Sequence, residues 1–259
     1  MKITIVIPAK NEQDYIGKLL DSLVAQTRQP DEIIVINSHC TDKTGEVVMS
    51  YKKTLNISFV DEVEPEDKSK MIQPGVWHSS CARNYAPKIM KGELFYTIDA
   101  DVILPANNLS EVEKTARKFD IVTMPSRMLS KKAGIRIGSR LMNVYVRIMR
   151  HTPWTIGFSC FAVKKKILDK LQFDPTLAKA EDFDFITRAH KQLGAKVGYA
   201  HNTFFSTSDR RYAGNKGEVW RGFVTELYRL THRMRVDKKL FDYDMGGDVD
   251  NSTKEKIKR

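Results

Sequence analysis

Up to Ile98 the chain alternates short runs of branched apolar residues with stretches whose apolar residues recur at helical spacing, and this constrains its fold most. Residues 3–7 read as a strand ended by Pro8, residues 12–25 carry Ile16, Leu19, Leu20 and Leu23 at helical period, and residues 32–36 read as a second strand. Strand, amphipathic helix and strand in that order bury both faces as parallel neighbours joined by a crossover. A helix over residues 44–53, a strand over 56–60, a helix over 79–90 and a strand over 94–98 continue the pattern, with a polar loop at 61–74. The expected fold class is α/β, Rossmann-like, with a mostly parallel central sheet and helices on both faces. With 259 residues, 41% of them apolar, the chain can fill the core of one such domain.

Beyond Asp101 the sequence predicts a helix over 110–118 with Ser110 as N-cap and Glu113 three residues on, a strand over 120–124, and helices over 136–150, 181–193 and 217–235. No apolar run approaches the ~20 residues of a spanning helix. The opening run is too short for a signal peptide and has no small-residue cleavage site. Cys40, Cys81 and Cys160 are odd in number and far apart, which suits neither a disulfide framework nor a zinc site. A cytoplasmic protein, at most peripheral on a membrane, is the expectation.

The net charge of +11 is local: residues 121–168 hold ten of the 43 Lys and Arg and none of the 32 Asp and Glu. Drawn as a helix at about 100° per residue, Arg136, Arg140, Asn143, Arg147 and Arg150 fall within about 40° of one line, with Leu141, Val144, Tyr145 and Ile148 on the other side. Such a helix suits an anionic contact, whether nucleic acid, anionic lipid or a diphosphate-bearing substrate. The plainer alternative is a solvated helix whose apolar side packs on the sheet.

Three constellations carry chemistry. Asp99-Ala100-Asp101 follows the strand at 94–98, so both carboxylates sit at a strand's carboxyl end, where open α/β sheets bind ligands. Two hard oxygen donors there suit Mg²⁺ or Mn²⁺ with diphosphate and water completing the shell, or they form an ordinary acidic turn. Glu181-Asp182-Phe183-Asp184 opens a helix; one acid there is a dipole-complementing cap, but three exceed that need, and one facing the crevice would serve as general base. Arg210-Arg211 can hold phosphate oxygens in bidentate fashion or be a solvated pair.

In their order and spacing, residues 5–12 (Ile-Val-Ile-Pro-Ala-Lys-Asn-Glu), 31–36 before Thr41-Asp42-Lys43-Thr44, Ala82-Arg83-Asn84 leading to Gly92, Asp99-Ala100-Asp101 and Glu181-Asp182 resemble family 2 glycosyltransferases of the GT-A fold, over about residues 1–211. The resemblance implies one GT-A domain, with residues 1–124 as the nucleotide-sugar half, 125–236 as a partly helical acceptor half and 237–259 as a flexible tail. It implies that Pro8, Ala9, Lys10, Glu12 and Asn37 border the nucleotide, that Arg83 approaches the diphosphate or base, and that Asp99 and Ala100 face the ribose or sugar. Asp101, helped by Asp99, would be the main ligand of Mn²⁺ or Mg²⁺, and Arg210 and Arg211 would hold the leaving diphosphate. Asp182 would be the catalytic base, with Glu181 toward the acceptor. His201 is a candidate third metal ligand or a surface histidine. Many relatives read the nucleobase with an Asp after the second strand, but this chain has Asn37-Ser38-His39-Cys40, so uridine, guanosine and thymidine donors all remain open.

The implied reaction is metal-dependent transfer of a hexose from a nucleotide diphosphate sugar to an acceptor hydroxyl, with inversion favoured over retention. The acceptor would be a glycan or lipid-linked, with Arg136, Arg140, Arg147 and Arg150 toward an anionic membrane surface. Residues 157–160 would form a turn and strand beside the sugar, and Trp154 would either stack on a sugar or fill the core. No nucleic-acid partner is expected, because a basic nucleic-acid-binding protein leaves both acidic motifs unexplained. A nucleotidyltransferase on a similar sheet usually opens with a Gly-rich phosphate loop, and residues 8–12 contain no glycine.

Overall fold

The structure, a computed structural model, describes residues 1–63, 79–152, 155–177 and 180–209. Trp154, Arg210, Arg211, the helix expected over 217–235 and the tail lie outside these described residues. The strands are β1 (Ile3–Ala9), β2 (Glu32–Asn37), β3 (Ile57–Asp61), β4 (Leu94–Thr97), β5 (Val102–Ile103), β6 (Ile121–Thr123), β7 (Ser126–Leu129), β8 (Phe161–Lys164), β9 (Val197–Tyr199) and β10 (Phe205–Ser208). The helices are α1 (Ile16–Val24), α2 (Thr44–Ser50), α3 (Ser79–Ile89), α4 (Asn108–Ala116), α5 (Ala133–Met149), α6 (Lys165–Leu168) and α7 (Glu181–Leu193).

A seven-stranded sheet runs in the order β3-β2-β1-β4-β8-β6-β9, with β8 antiparallel to both neighbours and every other pairing parallel. β1 lies inside this sheet and every one of its residues is buried. Alternate side chains therefore feed two cores. Ile3, Ile5 and Ile7 pack with Leu19 and Leu23 of α1 and Leu109 and Val112 of α4, while Val6 packs on the other face with Ala82 and Ala86 of α3 and Phe185 of α7. A small sheet, β5-β10-β7, covers one end.

Pro8 lies within β1 instead of ending it. Asp31 N–H donates to Ile3 O and Ser38 N–H to Ala9 O, so odd-numbered residues bond toward β2; Ile98 N–H donates to Val6 O, so even-numbered ones bond toward β4. Proline has no N–H to continue that second ladder. The β1–β4 pairing accordingly stops at Val6↔Thr97, while β1–β2 continues to Ala9↔Asn37. The sheet thus opens between β1 and β4 just where Asp99 and Asp101 emerge.

Two further expectations are corrected. Ser110 is not a cap: Asn108 N–H donates to Pro105 O, the coil starts at Asn107-Asn108, and Ser110 Oγ, already inside it, donates to Asn107 O at 2.9 Å. α5 does not lay its Leu141, Val144 and Ile148 face on the sheet. The Asn143 amide accepts from Ser126 N–H (2.9 Å) and donates to Ser126 O (2.7 Å), which turns Val146 inward and leaves that apolar face in solvent.

Close packing also explains Gly92, which begins the turn into β4. A Cβ there would sit 2.8 Å from Thr4 N and 3.0 Å from Lys2 O, both backbone atoms of the strand start. Gly92→Ala should lower the free energy of unfolding by about 1–3 kcal/mol, the usual cost of overpacking. The check is the midpoint of urea unfolding, and an unchanged midpoint would mean that the start of β1 yields freely.

Candidate active site

Asp99 and Asp101 flank the buried Ala100 on the turn after β4, and both are partly exposed at the opening beside Pro8. Asp99 N–H bonds to Cys160 beneath it; burial and the Asp99 charge push the Cys160 thiol well above its ordinary value. Two hard carboxylates at a solvent-facing strand end fit Mg²⁺ or Mn²⁺ that takes its other ligands from diphosphate and water. Among the described residues no group of three His, Cys, Asp or Glu is placed to hold a metal, so His201 is not brought to the acid pair. His201 lies 4.9 Å from the Tyr199 ring, and burial together with Arg150 and Arg147 lowers its pKa. Those cations disfavour a second positive charge there.

Arg83, on α3, is 1% exposed and ties three elements together. Its Nη1 donates to Glu181 Oε1 (2.6 Å) and Ser79 Oγ (3.3 Å), its Nη2 to Asp99 Oδ1 (3.1 Å) and its Nε to Thr97 Oγ1 (3.1 Å). Ser79 Oγ in turn donates to Glu181 Oε1. Burial alone would lower the guanidinium pKa, but the Glu181, Asp99 and Asp182 charges raise it on balance, so Arg83 is charged. These contacts give each nitrogen of the Arg83 guanidinium a protein acceptor. They also hold Glu181 in an ion pair with Arg83, 8% exposed.

The three acids at the start of α7 are thereby sorted. Glu181 pairs with Arg83, and Asp184 Oδ2 accepts from Arg188 Nε at 2.6 Å. Asp182 makes no ion pair among the described residues; its Oδ1 accepts the Phe183 N–H at 2.9 Å. Burial, reinforced by the neighbouring Glu181 charge, pushes its carboxyl up to about 7 against the opposing pull of Arg83. Ala180, just before it, is held in the left-handed region at φ 60. The other non-glycine residues so held among the described residues are Asn11 and His39, which follow β1 and β2. Backbone strain of this kind collects at ligand-binding loops.

Those two loops are stitched together. Thr41 N–H donates to Asn11 Oδ1 (2.8 Å), Glu12 N–H to Thr44 Oγ1 (2.8 Å) and Gln13 N–H to Asp42 Oδ2 (3.1 Å). This wall carries Pro8, Ala9, Lys10 and Glu12, of which Lys10 is partly exposed and Glu12 buried. Asn37 is fixed at its end: Oδ1 accepts Cys40 N–H (2.9 Å) and Nδ2 donates to Asp61 Oδ1 (2.7 Å). Asp61 was missed by the sequence reading. The β2–β3 register pairs it with Asn37, so a carboxylate absent after β2 is supplied next door from β3.

A mostly parallel sheet of this strand order, opened beside an acid pair at its carboxyl edge, is the architecture of GT-A glycosyltransferases. The profile described as Glycosyl transferase family 2 matches residues 4–171, and the chain belongs to that family. Mannosyltransferase PcManGT of Pyrobaculum calidifontis, solved with GDP-Man and Mn²⁺, is 24% identical at a TM-score of 0.62, over 79% of this chain and 56% of its own. S. aureus TarS 1-349, solved with UDP-GlcNAc, is 19% identical at a TM-score of 0.57, over 81% of this chain and 59% of its own. Glycosyltransferase GlyA of Streptococcus pneumoniae serotype 4 is 23% identical over 236 residues, 85% of this chain but 32% of GlyA. The chain thus spans less than two thirds of each.

Truncating Arg83 leaves the buried Glu181 carboxylate without its counter-ion beside a cavity, and removes the partner of the partly exposed Asp99. Arg83→Met should destabilise the fold by about 3–5 kcal/mol, as for other broken buried pairs, and adding Glu181→Gln should restore part of the loss. Independent effects in that double-mutant cycle would mean that the bridge carries no energy.

Proposed function

We propose that this chain transfers a hexose from a nucleotide diphosphate sugar to an acceptor hydroxyl, with residues 1–124 holding the donor and the following part receiving the acceptor. The observation that carries this is the sorting of the α7 acids: Glu181 and Asp184 are spent on arginines, while Asp182 makes no ion pair among the described residues and its carboxyl is pushed up to about 7. A base poised near the working pH is both ionised and basic enough to accept a hydroxyl proton.

Asp99 and Asp101 would hold Mn²⁺ or Mg²⁺, which when bound supplies Lewis-acid stabilisation of charge on a leaving diphosphate. Arg210 and Arg211 are proposed to add donors on the same side. The wall formed by Pro8, Ala9, Lys10, Glu12 and Asn37 borders the nucleotide, with the Asn37–Asp61 pair offering an acceptor and a carboxylate to a base edge. Asp182 removes the proton of an acceptor hydroxyl attacking opposite the diphosphate, which inverts the anomer. Arg83 keeps Glu181 and Asp99 apart and neutralised, so Asp182 remains the base on that side. A glycan or lipid-linked acceptor enters from the α5 side. The GDP-Man and UDP-GlcNAc complexes of the related structures support a nucleotide sugar as donor while leaving its base open.

Asp182→Asn should keep the thermal shift given by donor and Mn²⁺ and lower kcat by about 10²–10⁴-fold, the span of general-base catalysis. Undiminished turnover would remove Asp182 from the mechanism. Asp101→Ala should abolish the Mn²⁺-dependent part of the donor shift; an unchanged shift would place the ion elsewhere. Because the base must be ionised, the rate should fall as pH drops through about 7. A rate flat from neutrality to pH about 5 would mean an ordinary aspartate, whose pKa lies near 4.

A further inference from the structure

We propose that α5 is a membrane-inserting wedge, whose aliphatic stripe of Ile137, Leu141, Val144 and Ile148 enters the surface of an anionic bilayer while the arginines on its flank pair with phosphate headgroups. These four side chains are 53%, 65%, 55% and 62% exposed. At about 100° per residue they fall within about 60° of arc, opposite the buried Val146, so the helix is apolar on two opposite faces. One face, with Met142, Tyr145, Val146 and Met149, packs against Ile156 and Tyr199 in a small core of its own. The other has no cover among the described residues. A second apolar stripe of this size on a folded surface marks a contact site.

Charge decides which contact. Arg140 and Arg147 line the stripe and are exposed, as are Lys131 and Lys132 at the helix start, and no acidic residue occurs from 121 to 168. A second copy of the chain meeting this face would bring arginines against arginines. A nucleic acid would engage the arginines but gain nothing from aliphatic side chains, which offer no stacking surface. An anionic lipid surface satisfies both parts at once, with acyl chains for the stripe and phosphates for the flank. The inner face of α5 shares its core with Phe183, the residue after Asp182, so the wedge lies one helix away from the candidate base. A lipid-linked acceptor would reach the site from that side. The inference deepens the acceptor side of the proposed function, and binding to vesicles tests it apart from the transfer chemistry.

The experiment is flotation of the full chain with vesicles of phosphatidylcholine alone or mixed with phosphatidylglycerol, alongside Leu141→Ser/Ile148→Ser and Arg140→Glu/Arg147→Glu. Circular dichroism and the donor thermal shift confirm that each variant is folded. The expected result is binding to the anionic vesicles only, weakened about tenfold or more by either double substitution. Binding untouched by the serine pair would reduce the contact to charge alone and overturn insertion. A full chain that ignores anionic vesicles, or a concentration-dependent dimer abolished by the serine pair, would show the stripe covered by the chain's own later residues or by a second copy. Either result would end the proposal.

Discussion

Arg83 is buried where a charge survives only if it is paired, and its partners come from three elements: Ser79 on its own helix, Thr97 and Asp99 around the end of β4, and Glu181 at the start of α7. A guanidinium suits this task because its planar fork addresses several acceptors at once and does not lose its proton. Removing any one partner would leave a charge or a polar group without compensation in a poorly solvated place. The bridge therefore fixes the distance between the donor-side acid pair and the acids of α7. It also sets those acids apart, since among the described residues Glu181 is in the ion pair and Asp182 is not.

The sheet supplies the space in which this matters. Pro8 withholds the N–H that would extend the β1–β4 ladder, so the two strands part above Val6 and Thr97. The loops after β1 and β2 are bound to each other by Asn11, Glu12 and Gln13, forming one wall of the opening. Asp99 and Asp101 form its floor. Strain at Asn11, His39 and Ala180 is the cost of turning the chain sharply around it.

Much of this was legible in the sequence because it is local. Short apolar runs and stretches of period 3.6 alternate clearly through Ile98, and the acid pair announces itself by following a strand. What escaped the sequence was set by pairing in space. Asp61 becomes the neighbour of Asn37 only through strand register, and Thr97 and Glu181 become partners of Arg83 only when α3 lies against β4 and α7. Ser110 carried a good local capping signal that lost to a turn three residues earlier. In α5 the helix and its arginines were plain, but its inward side is marked by Asn143 and Ser139, both bonded to the Ser126 backbone. A helix apolar on two faces cannot be oriented by periodicity alone.

The two faces of α5 belong to one picture: the outer one carries the proposed membrane contact, and the inner one packs with Phe183 of the helix that carries Asp182. The central claim is that Arg83 assembles a single site from the end of β4 and the start of α7. It is tested most directly by anomalous diffraction from crystals soaked with Mn²⁺ and a nucleotide diphosphate sugar. The account predicts manganese between Asp101 and the diphosphate, with the Arg83 bridge intact and Asp182 facing the anomeric carbon from the side opposite the leaving group. Metal and sugar bound away from the β4 edge, or an Arg83 drawn out to the phosphates, would contradict it.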